Sequence, residues 1–231
     1  MTPGSEKVDQ MLARASLETP VPPEAVDRIS AAILPGLRPV RPISSTPVRV
    51  AGLLLSGAVV ALAGAALFGM NGIRKLDGLE SFAIFAILVL FGGLAAGQSA
   101  AEMVPGARRI ASPSVLLCAG STALLAIFAL LFQGYGMDGF VRQGVPCLRA
   151  GLLLAAPAAG GAWLILRRGM ALDATAAGLA AGTLAGIAGI AMLELHCGIL
   201  RAVHVMVWHV AVVPVSALVG AWLAKVFTSR S

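Results

Sequence analysis

The sequence predicts an all-α, polytopic membrane protein: a bundle of six transmembrane helices behind a short N-terminal tail. Three observations predict it. Hydrophobic residues make up 58% of the 231-residue chain and charged residues only 12%, against about 25% charged in soluble domains. Mean hydropathy is +0.89. The apolar residues gather into six runs, each near the roughly 20 residues that cross a hydrocarbon core of about 30 Å.

Residues 1–49 read as a cytoplasmic tail. Prolines at 20, 22, 23, 35, 39, 42 and 47 interrupt it, and only short helices fit between them. One is expected over 5–17, with Val8, Met11, Leu12 and Ala15 on one face. A second is expected over 23–34, with Val26, Ile29, Ile33 and Leu34 on one face. Both follow the three-to-four spacing of an amphipathic helix. Pro23 suits a first turn and Pro35 ends the helix. Helices this short need a partner or a surface to be stable. The tail has no apolar stretch of the kind a cleaved signal peptide carries.

The spans are expected at 50–70, 81–101, 113–133, 147–166, 174–195 and 205–225, forming a sensor domain over 50–225, with 226–231 as a C-terminal tail. Orientation follows from the basic residues. With the N-terminus in the cytoplasm, Lys7, Arg14, Arg28, Arg38, Arg41, Arg49, Arg108, Arg109, Arg167, Arg168, Lys225 and Arg230 lie inside. Arg74, Lys75, Arg142, Arg149 and Arg201 lie outside. Six spans return the C-terminus to the cytoplasm. The net charge of +6 is thereby spent on orientation, and no basic stripe suggests direct nucleic-acid binding.

The fifth span carries Gly178, Gly182 and Gly186 on one face, a spacing that lets a neighbouring backbone come close. Glu80, Glu102, Asp173 and Glu194 fall at span ends, and none lies mid-span, which argues against a proton-coupled transporter. A small transporter or channel remains the alternative reading. No phosphate loop, metalloprotease motif or nucleophile triad appears, so the chain reads as no enzyme.

The outer end of the last three spans holds Cys147, Glu194, His196, Cys197, His204 and His209. The midpoint between residues 147 and 197 is residue 172, in the loop joining spans four and five. Arms of equal length leave that loop and return, at 1.5 Å per residue, to the same height. Cys147 and Cys197 are therefore expected level with one another at the outer rim. Such a pair can form a disulfide, bind a soft metal with nearby imidazoles, or pack inertly. The convergence of Cys147 and Cys197 with His196 and His204 favours a redox or metal role. Ideal helical geometry turns His209 about 140° from His204, so the two share no ion unless the helix breaks. It also sets His204 and Trp208 on one face, and the tryptophans near span ends suit the interfacial belt. Cys118 is expected to be buried packing.

The pattern Pro146-Cys147-Leu148, an apolar helix ending Arg167-Arg168-Gly169, a glycine-rich helix ending Leu195-His196-Cys197, then His204-x-x-x-Trp208-His209, resembles the NrsF family. These are six-helix membrane anti-sigma factors of bacteria. The resemblance spans about residues 45–225 and is sharpest over 146–209. It implies a protein of the bacterial inner membrane whose cytoplasmic tail holds an extracytoplasmic-function sigma factor of RNA polymerase. It further implies that Cys147 and Cys197, on the periplasmic side, sense metal or oxidative stress and cause its release.

Overall fold

The computed structural model describes residues 22–36 and 44–228. The chain divides into two compact units, Met1–Pro42 and Ile43–Ser231. In the first unit, α1 (Pro23–Ile33) has a proline in its first turn and runs into a 3-10 turn, Leu34–Gly36. Val26, Ile29, Ile33 and Leu34 are exposed along it. The expected helix over 5–17, with Val8, Met11 and Leu12, lies outside the described residues.

The second unit holds six long apolar helices: α2 (Thr46–Phe68), α3 (Gly78–Glu102), α4 (Pro113–Leu131), α5 (Phe140–Leu166), α6 (Ala174–His196) and α7 (Ala202–Phe227). All are long and apolar enough to cross a bilayer, and the described residues contain no strand. The protein is a polytopic helical membrane protein. Helices begin where the chain supplies caps. Asp77 and Glu80 form a reciprocal capping box at α3. Ser112 accepts from the Val115 amide at α4, and Asp173 from the Ala176 amide at α6. Such caps satisfy amides that the first helical turn leaves unpaired.

Several helices start before the apolar runs do. The expected span at 147 begins at Phe140, and the one at 205 begins at Ala202. Hydropathy marks the length immersed in lipid, while the hydrogen-bond ladder continues into the polar rim. As a result Cys147 sits two turns inside α5, just past the in-helix Pro146.

α6 is the centre of the bundle and packs against all five other spans. Its small residues make that possible. A Cβ on Gly178 would strike the Gly220 carbonyl, one on Gly182 the Ser216 carbonyl, and one on Gly186 would lie 2.6 Å from the Val213 Cα. Gly189 meets the backbone of Gly151 on α5 in the same way. The glycine stripe thus lies backbone-to-backbone on α7.

Buried polar side chains collect toward the two ends. Arg49, Gln98, Ser99 and Glu102 lie at the end where α2 begins, and Glu194, His204 and His209 at the other, with Thr183 and Ser216 between. At the first end Gln98 and Arg109 both donate to the Glu102 carboxylate, at 2.6 and 2.8 Å. Cys118 is exposed on α4, not buried as expected. Trp163 and Trp222 are exposed on the outside of the bundle, as interfacial tryptophans are.

Candidate functional site

The candidate site lies where α5, α6 and α7 meet, at the end of the bundle opposite the α2 start. The hairpin of α5 and α6 brings its two cysteines together. Their Sγ atoms are 3.4 Å apart, in contact but unbonded. Cys147 is half-buried and Cys197 buried. The Cys197 Sγ also lies 3.6 Å from Nε2 of His204. Just past the end of α6, Cys197 holds its proton more tightly than a free thiol; its hydrogen bond with Cys147 is the larger cause and burial adds to it.

His209 completes the group, against the expectation from ideal helical geometry. The first part of α7 is not an α-helix throughout: Val205–His209 is a π turn. Its wider hydrogen bond runs from the Val210 amide to the Val205 carbonyl, at 3.3 Å. In such a turn residues five apart stand nearly above one another. The rings of His204 and His209 accordingly meet edge to face, 5.3 Å between centroids. Ligand atoms of Cys147, Cys197, His204 and His209 all lie within 4.8 Å of one another. This is a cluster able to hold a metal ion.

Pro214 is the sequence signal that ideal geometry overlooked. It has no N–H for the Val210 carbonyl, which accepts from Val213 instead, at 3.1 Å. A proline inside a helix forces a local change of this kind. Trp208 packs on Phe140, 5.1 Å between centroids, and lies directly over Gly144.

His196 is not a member of the cluster. Its Nδ1 donates to the Gly69 carbonyl at 2.9 Å and its ring rests against Phe68. As the last residue of α6, one position before Cys197, it faces the α2–α3 loop. That loop closes the end of α6: the amides of Gly72 and Ile73 donate to the Leu195 carbonyl, and the Lys75 ammonium to the Gly198 carbonyl at 2.8 Å. A Cβ on Gly72 would strike the Glu194 carbonyl, so this contact requires glycine.

Behind the cluster lies a buried pair. His209 Nδ1 donates to Glu194 Oε1 at 2.6 Å, with both side chains fully buried. The other Glu194 oxygen and His209 Nε2 have no hydrogen-bond partner among the described residues. Unpaired buried polar atoms are rare in folded proteins and call for a cause.

The family model for NrsF, negative regulator of sigma F, matches residues 35–229. The chain belongs to the NrsF family. No curated protein and no solved structure matches it. Membership makes this chain an anti-sigma factor, a negative regulator whose partner is a sigma factor, in a family of regulators and not of enzymes. The match begins after α1, in the 3-10 turn, and takes in all six long helices. In this NrsF chain the cysteine and histidine cluster therefore sits within the matched region, whereas the exposed face of Val26, Ile29 and Ile33 precedes it.

Proposed function

We propose that this chain is an inner-membrane sensor that keeps an extracytoplasmic-function sigma factor inactive and lets it go when Cys147 and Cys197 meet metal or oxidant on the periplasmic side. The observation that carries the reading is the 3.4 Å contact of two thiols inside a chain of the NrsF family. The charge asymmetry of the loops supports cytoplasmic termini. Such a topology puts α1 and the sigma factor on one side and the thiols on the other.

Two kinds of signal suit the thiol pair. An external two-electron oxidant would take one electron from each sulfur, with loss of both protons, and leave a disulfide. A soft metal ion would instead displace the protons and bind the sulfurs directly. Either changes how α5 holds the end of α6. A signal needs states that differ in interaction energy. The π turn of α7, pressed against that same end, is the local departure from α-helix on which such a change would act.

The apolar face of α1 is the candidate grip on the sigma factor. Val26, Ile29 and Ile33 are 49, 57 and 53% exposed, and helix-in-groove binding uses this spacing. Val8, Met11 and Leu12 are proposed to extend it. Full-length protein in detergent is expected to capture a purified extracytoplasmic-function sigma factor, and Ile29→Asp to weaken that capture at least tenfold. Equal capture by the Ile29→Asp protein removes α1 from the interface. Absence of capture by the unaltered protein removes the proposed partner.

A further inference from the structure

The orphaned nitrogen of His209 is the feature that thiol oxidation does not explain. Two cysteines are enough for a disulfide. They do not require a buried imidazole held by a carboxylate with its second nitrogen unpaired. Because Nδ1 is bonded to Glu194, Nε2 is the nitrogen left to serve as a ligand. A carboxylate on the far nitrogen of a metal-binding histidine is the usual device that fixes its tautomer and orientation.

We propose that Cys147, Cys197, His204 and His209 form a four-coordinate site for a divalent ion of the zinc and cadmium class, with Glu194 as the residue that positions His209. The proposal rests on the sensor reading above and names the ligand set and the ion. Two thiolates and two imidazoles are the donor set of tetrahedral zinc sites. Bonds of about 2.0–2.3 Å would put tetrahedral ligand atoms about 3.3–3.8 Å apart. Cys147 to Cys197 at 3.4 Å and Cys197 to His204 at 3.6 Å are already at that spacing. The widest separation in the set, within 4.8 Å, has to contract by about 1 Å, a small adjustment for side chains on adjoining helices.

Charge selects the ion's valence. Two thiolates and the Glu194 carboxylate bring three negative charges into a buried pocket. A divalent ion offsets more of that charge than a monovalent one, and uncompensated buried charge is costly. Access is one-sided, since Cys147 is half-buried and the other three ligands are buried. The ion would enter past Cys147 and meet His209 last. The π turn is then part of the site, because it alone puts His204 and His209 on one side of α7.

The test is a titration of the full-length, reduced protein in detergent with Co2+, followed by Zn2+ or Cd2+. The expected result is one equivalent of Co2+ with the intense visible absorption of a tetrahedral thiolate site, displaced by Zn2+. Glu194→Gln should keep the spectrum and weaken affinity 10–100-fold. His209→Gln should change the spectrum and weaken binding further. His196→Gln and Cys118→Ser should bind as the unaltered protein does. No tetrahedral Co2+ signal in the unaltered protein, or an unchanged spectrum and affinity in His209→Gln, overturns the site. Sigma-factor retention in the same samples separates the two claims. If an oxidant releases the sigma factor but no ion binds, the sensor stands and this site falls. If the ion binds with this ligand set and neither stimulus causes release, the site stands and the sensor falls.

Discussion

The two halves of the α6–α7 contact are built on opposite principles. Near the α2 start, Gly178, Gly182 and Gly186 lie against the backbone of α7 at Gly220, Ser216 and Val213. This half is close-packed, backbone against backbone, with Thr183 and Ser216 as its buried polar side chains. At the other end the contact is made by Glu194, Cys197, His204 and His209, and α7 leaves α-helical geometry to make it. That half gathers ionisable groups, with one oxygen of Glu194 and Nε2 of His209 left unpaired among the described residues. Both suit the proposed sensor: the glycine half would pass on a displacement because packed interiors resist compression, and the polar half would supply its chemical trigger.

The contrast can be broken from either end, and the expected effects differ in size. The largest is at the buried pair. Glu194→Ala leaves His209 without its partner in a pocket where both are fully buried, and should destabilise the bundle by about 3 kcal/mol or more, read from thermal unfolding in detergent. A loss below about 1 kcal/mol would mean water reaches the pocket and the half is not dry. Next comes Gly182→Leu, which drives a side chain into the Ser216 carbonyl and should cost about 1–3 kcal/mol or block folding. Gly160→Leu is its control. Nothing lies near a Cβ at Gly160, so unfolding should move by less than about 0.5 kcal/mol. Equal losses at the two glycines would show that helix composition, and not the stripe, sets the packing.

The smallest structural effect is expected at Cys147→Ser. The side chain is half-buried at the rim, its size is nearly unchanged, and stability should shift by less than about 1 kcal/mol. The signalling effect should be the opposite, with release of the sigma factor under metal or oxidant largely lost. A variant that is both stable and silent would separate the trigger from the scaffold.

The scaffold was the legible part of the sequence. Six apolar runs place the helices, because lipid leaves few other structures to such a chain. The approach of Cys147 to Cys197 was also legible, since an antiparallel hairpin of equal arms fixes it by counting. The departures all come from local geometry that counting ignores. Counting with ideal helical rotation excludes His209 and admits His196. The π turn brings His209 into the cluster, while His196, one position before Cys197, turns instead to Gly69 and Phe68. The closure of α6 by Gly72 joins segments more than a hundred residues apart, and no local pattern announces it. Cys118 is apolar enough to face lipid as readily as protein, so its burial was not decidable from spacing.

Under the proposed function, the state of two thiols on one side of the bundle decides whether a sigma factor stays bound on the other. The direct measurement is retention of the sigma factor by full-length protein in oriented vesicles, before and after adding Cd2+ or an oxidant to the face that holds Cys147 and Cys197. Release is expected from the unaltered protein, and full retention by the Cys147→Ser, Cys197→Ser double variant. Release from both to the same extent would contradict the proposed function.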